Sequence, residues 1–221
     1  MEITIDSVLT EKAQGFKVGC IDYKDITVSG SPQMIKGRLQ LFQESLYFDM
    51  LDKELTAFEG IKEWREVFKK AGTDPSRYRH SAEALYRRVK KQNYLVPIHS
   101  AIDLNNFFSL QYAIPLGIYD TDQLTGRIEI SIGRETDTYK GLNGRENVLK
   151  NMIVAKDQKG PFGTPFVDSE RTKVTEETVN ALHIIYLRPS METEEAYKLM
   201  DAVSNMFTQV HGGEADSKII S

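Results

Sequence analysis

The chain has 221 residues, 40% of them hydrophobic and 27% charged, which is typical of one large or two small globular domains. Its 28 Lys and Arg and 32 Asp and Glu give a net charge of −4, which excludes a polybasic mode of nucleic-acid binding but not a local basic patch. A lone cysteine, Cys20, excludes a disulfide framework and a thiolate zinc cluster. No apolar run reaches the ~20 residues of a membrane span. We expect a cytoplasmic protein without membrane contact, metal or cofactor.

Helical periodicity dominates the first half of the chain, after one stretch of alternating apolar residues. Ser81 is predicted to cap one helix, and Ser100 with Asp103 form an S-x-x-D capping box that opens another. Gly72 is a natural C-terminal stop. The patterns predict strand structure within residues 15–28 and helices at residues 34–50, 60–71, 81–91 and 100–112.

The second half changes to the two-residue period of strands. Strands are predicted at residues 127–132, 152–155 and 182–187, a turn-rich loop at 159–165, and a helix from residue 190 to about 210. We expect one compact α+β body. Residues 1–75 form an N-terminal strand and helical layer, residues 76–211 form the main domain, and residues 212–221 form a frayed tail.

Charge is unevenly distributed, and the usual signatures of hydrolases, kinases and dehydrogenases are absent. Residues 62–91 contain ten Lys and Arg and four Asp and Glu, a local charge of +6, and three tyrosines lie among or beside them at positions 78, 86 and 94. A phosphate backbone would favour such a segment, and the aromatic rings could stack on bases. The alternative is a solvated helix face with an internal Glu83–Arg87 pair. The candidate RNA-binding residues are Arg77, Arg79, Arg87, Arg88 and Lys91.

Several segments, taken in order, resemble a known family. They are residues 77–89, 102–106, 109–110, 114–120, 126–128, 160–163, 168–172 and 175–182. Their sequence is similar to the tRNA-binding and editing domain of the phenylalanyl-tRNA synthetase β subunit, and more so to free-standing small proteins built from that domain. The resemblance covers residues 75–210. It implies an α+β fold with a β-sandwich-like sheet core of uncommon topology, flanked by helices.

The resemblance also implies a pocket, which in the synthetase hydrolyses tyrosine mischarged onto the phenylalanine tRNA. The family's pocket histidine corresponds here to Gly117 and its pocket glutamate to Ile184, so both polar groups are missing. His99 is the candidate for a replacement catalytic role. The corresponding pocket residues are Asn106, Gly117, Gly163 and Thr164, with backbone N–H groups near Gly163 available to an oxyanion.

Three hypotheses follow from these observations. The first is a module that binds tRNA or aminoacyl-tRNA. Whether it also hydrolyses aminoacyl-tRNA in trans is left open. The second is a protein that binds an amino-acid-like small molecule, or an enzyme that acts on one, and that reuses the pocket without nucleic acid. The third is a structural or interaction role. The sequence leaves open whether the chain is an enzyme and specifies no oligomeric state.

Overall fold

A computed structural model describes all 221 residues. Its helices are α1 (Ser7–Lys12), α2 (Gln33–Asp49), α3 (Glu59–Ala71), α4 (Ser81–Lys90), α5 (Ser100–Tyr112) and α6 (Thr193–His211). Its strands are β1 (Ile3–Ile5), β2 (Val18–Lys24), β3 (Leu116–Asp120), β4 (Ile128–Ile132), β5 (Thr138–Lys140), β6 (Glu146–Val148), β7 (Ile153–Asp157), β8 (Gly160–Gly163), β9 (Ala181–Tyr186) and β10 (Glu214–Ile220). No helix combines the length and the apolar character that crossing a membrane requires.

The strands form two open four-stranded sheets and a small hairpin. The first sheet has the order β1-β4-β7-β8, with β1 parallel to β4 and the other pairs antiparallel. The second has the order β10-β2-β9-β3 and is antiparallel throughout. Strands β5 and β6 pair separately. The predicted α+β class is confirmed.

One hydrophobic core joins the N-terminal layer to the rest of the chain. It contains 51 buried residues, running from Ile3 to Phe207. Trp64 of α3 is fully buried, and its indole N–H donates to the backbone carbonyl of Tyr186 on β9 at 3.0 Å. Helix α3 ends as its sequence indicates, because Gly72 adopts a φ of 105° that favours glycine.

Two helix starts differ from the prediction by one residue, because histidines rather than serines provide the caps. His80 Nδ1 accepts from the backbone N–H of Glu83 at 3.3 Å, so His80 and not Ser81 caps α4. The S-x-x-D capping box is wrong in the same way. The Asp103 carboxylate instead accepts from the backbone N–H of Ile98 at 3.0 Å, one residue before the His99 cap of α5.

Both the turn-rich loop and the frayed tail contain strands, so these two predictions are wrong. Gly160–Gly163 pair with β7, with an irregularity between Ala155 and Lys156. Glu214–Ile220 pair with all seven residues of β2 and form an edge of the second sheet. The backbone hydrogen bonds of that ladder order the end of the chain.

Candidate functional site

The two glycines at the positions of the implied pocket face a single tyrosine. A Cβ atom added at either Gly117 of β3 or Gly163 of β8 would collide with the hydroxyl group of Tyr119. Tyr119 is fully buried, and its ring packs edge-on against Phe162 with centroids 4.8 Å apart. The space that the glycines leave is therefore filled by an aromatic ring of the chain itself.

Asp168 holds this tyrosine in place. The Tyr119 hydroxyl donates to Asp168 Oδ1 at 2.7 Å, and the backbone N–H of Thr164 donates to the same oxygen at 3.3 Å. Although part of the Asp168 residue reaches the surface, burial of its carboxyl group raises its pKa to about 7, against the lowering effect of both hydrogen bonds. Asp168 thus titrates near neutral pH. The Thr164 N–H, expected to serve an oxyanion, already has an acceptor.

The turn after β8 is fixed by its own side chains. Thr164 Oγ1 donates to the carbonyl of Val167 at 2.7 Å and accepts from the backbone N–H of the same residue at 2.9 Å. It also accepts from the Tyr139 hydroxyl at 3.2 Å. No hydrogen bond links Asn106 to this cluster. Three of the four predicted pocket residues therefore surround Tyr119 or Asp168, while Asn106 takes no part in these bonds.

Gly117 and Ile184, where the resemblance expects polar side chains, are cross-strand partners on β3 and β9. Ile184 is fully buried and belongs to the hydrophobic core. The two positions are thus brought together, but neither supplies a side chain that could orient water or donate to an oxyanion.

His99, the candidate catalytic residue, caps α5. It is 9% exposed, and its Nδ1 accepts from the backbone N–H of Ile102 at 3.5 Å. The residue lines none of the five main cavities. Its contacts are those of a structural cap.

Two histidines widely separated in the sequence, His183 and His211, pack against the ring of Phe207. His211 Nδ1 lies 2.8 Å from the carbonyl of Phe207, so this nitrogen carries the proton, and Nε2 accepts from the Ser100 hydroxyl at 2.8 Å. The hydroxyl of Tyr23 lies 3.1 Å from His183 Nδ1. Burial lowers the pKa of His183 to about 3 and also lowers that of His211.

The Phe207 ring also packs against Tyr23, so the two hydrogen-bonded pairs together join β2, β9, α5 and α6. Ser100 is fully buried and His211 is 3% exposed, so no substrate reaches the pair of serine and histidine without the fold opening. Nothing in the sequence spacing indicated this cluster, since its members are brought together by tertiary structure alone. No group of three or more His, Cys, Asp or Glu side chains is arranged to hold a metal ion.

A polar cleft of 410 Å³ opens between α3, α4 and the short turn at Leu55–Ala57. Its lining residues are Glu54, Leu55, Thr56, Arg65, Glu83, Arg87, Lys90 and Lys91. Four of these side chains are cationic and two are anionic, so the cleft has a local charge of +2. Two of the predicted RNA-binding residues, Arg87 and Lys91, lie in it.

Glu83 is fully buried and fixes two arginines of the cleft. Each of its carboxylate oxygens accepts from Arg65 Nη1 at 3.0 Å. Its Oε1 also accepts from Arg87 Nε at 2.9 Å and Nη2 at 2.8 Å. The remaining guanidinium nitrogens have no protein acceptor, so both arginines keep N–H donors for a ligand. Arg65 and Lys90 are the two cationic residues of the cleft that sequence reasoning left out of the candidate set.

The other predicted RNA-binding residues lie on the open surface. Arg77 and Arg79 are exposed in the segment before α4, and Arg88 is exposed on α4. The Arg77 guanidinium lies over the ring of Tyr78, 5.1 Å from its centroid. Tyr86 is buried and donates to the carbonyl of Leu110 at 2.7 Å, which makes it unavailable for stacking on a base.

The model of the B3/4 domain family matches residues 63–211 of this chain. The chain belongs to the B3/4 domain family. It is 35% identical to the uncharacterized protein YhzB of Bacillus subtilis over 96% of both chains. The two chains therefore match over nearly their whole lengths.

The B3/4 chain is also similar to phenylalanine–tRNA ligase β subunits. That of Fusobacterium nucleatum is 24% identical over 63% of this chain, and that of Paramagnetospirillum magneticum is 26% identical over 58%. The matched regions span about a fifth of those subunits, 21% and 19% of their lengths. A crystallised N-terminal fragment of the Pyrococcus horikoshii β subunit superimposes with a TM-score of 0.49 at 15% identity, covering 100% of this chain and 50% of the fragment.

Proposed function

We propose that this B3/4 protein binds RNA of the tRNA class in the cytoplasm, through the polar cleft and the basic surface around it. The observation that carries the proposal is the cleft itself, where the buried Glu83 holds Arg65 and Arg87 beside Lys90 and Lys91. Guanidinium groups held in fixed positions match the geometry of phosphate oxygens better than mobile surface lysines do.

The charge of the surrounding segment supports the same role. Among the ten Lys and Arg of residues 62–91, three make ion pairs with carboxylates, namely Arg65, Lys69 and Arg87. The other seven have no carboxylate partner: Lys62, Lys70, Arg77, Arg79, Arg88, Lys90 and Lys91. Unpaired cations concentrated on one part of an otherwise acidic protein attract a polyanion locally, and phosphate contacts release counterions.

Hydrolysis of an aminoacyl ester has less support than binding. Tyr119 fills the space between Gly117 and Gly163, and neither Gly117 nor Ile184 offers a polar side chain. We therefore expect at most weak release of tyrosine from mischarged phenylalanine tRNA, measured in a single turnover. The same assay with His99→Ala tests the catalytic candidate, because rapid release that depends on His99 would restore the hydrolase hypothesis.

Binding is tested by filter retention of unmodified tRNA between about 50 and 300 mM salt. The variant carries Arg79→Glu, Arg88→Glu and Lys91→Glu, three exposed residues without protein ion pairs. We expect a loss of retention, and an affinity that falls with salt by about 0.7–0.9 log units per decade for each phosphate contact in the wild type.

The matched control changes three exposed lysines outside the segment, Lys12, Lys24 and Lys36, to glutamate. Both triple variants lower the net charge by the same amount, so only the position of the charges differs. We expect the control to retain tRNA at nearly the wild-type level. Absence of wild-type retention at about 50 mM salt, or equal losses in both variants, would contradict the proposal.

A further inference from the structure

The arginines of the polar cleft are arranged around one buried carboxylate. Glu83 is fully buried, whereas the side chains of Arg65 and Arg87 are 24% and 46% exposed. Arg65 Nη1 and Arg87 Nη2 lie 3.0 and 2.8 Å from the same Glu83 oxygen, so these two nitrogens are at most about 6 Å apart. The two guanidinium groups are therefore neighbours, and a group that solvent does not reach fixes their positions.

The cationic side chains of the cleft keep N–H donors that no group of the chain accepts. Arg65 donates only through Nη1, and Arg87 donates only through Nε and Nη2. Lys90 donates to the carbonyl of Lys53 at 2.7 Å, which leaves its ammonium group two further N–H donors, and the ammonium group of Lys91 has no partner. Two N–H donors that bind different oxygens of one phosphate lie about 4–7 Å apart. The two guanidinium groups are thus close enough to hold one phosphate between them.

The charge of the cleft favours one kind of phosphate over another. Four cationic and two anionic side chains line the cleft, which gives it a charge of +2. A phosphodiester carries one negative charge, whereas a phosphomonoester carries about 1.5 to 2 at pH 7 because its second pKa is about 6. A monoester therefore neutralises the cleft almost completely. It also offers three free oxygens to the N–H donors, one more than a diester does.

The lining of the cleft suits the phosphate rather than the base of a nucleotide. Leu55 is the one apolar residue among the eight that line it, and none of the eight is aromatic. A base therefore finds no ring to stack on in the cleft. We infer that the cleft binds a phosphomonoester dianion, and that in RNA of the tRNA class this ligand is the 5′-terminal phosphate, since every other phosphate of the chain is a diester. The RNA source of the monoester rests on the function proposed above.

Filter retention of two transcripts of one tRNA, identical except for a 5′ monophosphate or a 5′ hydroxyl group, tests the RNA source at about 100 mM salt. We expect the phosphorylated transcript to bind about 10-fold more tightly, because its terminal phosphate adds charge-assisted hydrogen bonds. At pH 5.5 this ratio should be about 2–4-fold lower than at pH 7.5, because most of the monoester is then a monoanion. No histidine lines the cleft, so the ligand is the group that changes charge in this range.

The test variant carries Lys90→Gln and Lys91→Gln, and it leaves both arginines and the buried Glu83 in place so that the fold is kept. It should reduce the ratio between the two transcripts to less than about 3. The matched control carries Lys62→Gln and Lys70→Gln, exposed lysines of the same basic segment that do not line the cleft. The control removes the same amount of charge, so it should weaken the binding of both transcripts alike and keep the wild-type ratio.

Isothermal titration with methyl phosphate and dimethyl phosphate tests the same chemistry without RNA. We expect methyl phosphate to bind with a Kd of about 0.1–5 mM and dimethyl phosphate not to bind in this range. Binding of methyl phosphate together with equal retention of the two transcripts would support a site for a free phosphomonoester and overturn the 5′ end of RNA as its source.

Two results overturn the phosphomonoester site itself. One is equal retention of the two transcripts together with no binding of methyl phosphate, which leaves tRNA binding as such intact. The other is a preference for the phosphorylated transcript that survives Lys90→Gln with Lys91→Gln, because the phosphate then lies elsewhere. A wild type that binds methyl phosphate but retains no tRNA contradicts the proposed function and supports the phosphomonoester site.

Discussion

Replacing Tyr119 with alanine should empty the space between Gly117 and Gly163. The ring is fully buried, and truncation of a buried aromatic residue costs about 3–5 kcal/mol, because transfer energy is lost and a cavity remains. For a chain of this size the melting temperature should fall by about 2–4 °C for each kcal/mol, or about 6–20 °C in all. Urea unfolding and thermal denaturation measure the two quantities.

The shape of the new cavity can be tested with p-cresol, which has the ring and hydroxyl group of the missing side chain. At ten times its Kd it should return about 1.4 kcal/mol to the Tyr119→Ala variant and nothing to the wild type. Toluene should do less, because it leaves the Asp168 carboxyl without the donor that Tyr119 supplies at 2.7 Å.

Tyr119→Phe is the control for packing, since it keeps the ring and loses only the bond to Asp168. We expect it to cost about 1–3 kcal/mol. A Tyr119→Ala variant that loses less than about 1 kcal/mol, or a wild type that p-cresol stabilises equally, would refute the conclusion that this ring fills the space.

Two further predictions concern buried carboxyl groups. The wild type should become less stable as the pH rises from about 4 to about 7, and the Asp168→Asn variant should not show this loss. The raised pKa of Asp168 means that the folded protein keeps a proton that the unfolded chain has released, and this advantage disappears as the pH passes the folded value. The unfolding free energy, measured in urea, should fall between pH 5 and pH 8 by about 1–3 kcal/mol more in the wild type than in the variant. An equal pH dependence in both proteins would contradict the assignment. Glu83→Gln should destabilise the fold by about 1–3 kcal/mol, because a neutral amide oxygen replaces the carboxylate that the partly exposed Arg65 and Arg87 share, and it should weaken tRNA retention at a temperature where the variant stays folded. A variant as stable as the wild type would show that the two arginines are held by other contacts.

The sequence predicts elements best where periodicity is long and local. Helices α2 and α3 have the expected apolar spacing. Gly72 ends α3 as predicted, because helix termination there depends only on the backbone conformation of that one residue. The caps at His80 and His99 shift by one residue because a histidine Nδ1 replaces the usual serine oxygen, which composition does not indicate.

Features that depend on distant partners could not be predicted in this way. Strand β10 is ordered by β2, almost 200 residues earlier, and its own residues alternate poorly. Tyr119 lies two residues from Gly117, but its contact with Gly163 and its bond to Asp168 exist only once β3 and β8 approach each other. The polar cleft could be predicted in part. Its lysines and arginines are visible in the sequence, whereas the burial of Glu83 is not.

The strand order of the second sheet has a consequence for synthesis on the ribosome. β2 is made early, but both of its neighbours, β9 and β10, lie more than 150 residues later in the chain. At translation rates of about 5–20 residues per second, this apolar strand waits roughly 8–30 s before it can pair. During that interval it is a segment that nascent-chain chaperones would recognise, and contacts of such high sequence separation favour slow folding. Yields of this protein should therefore depend on translation speed and chaperone supply more than its folded stability suggests.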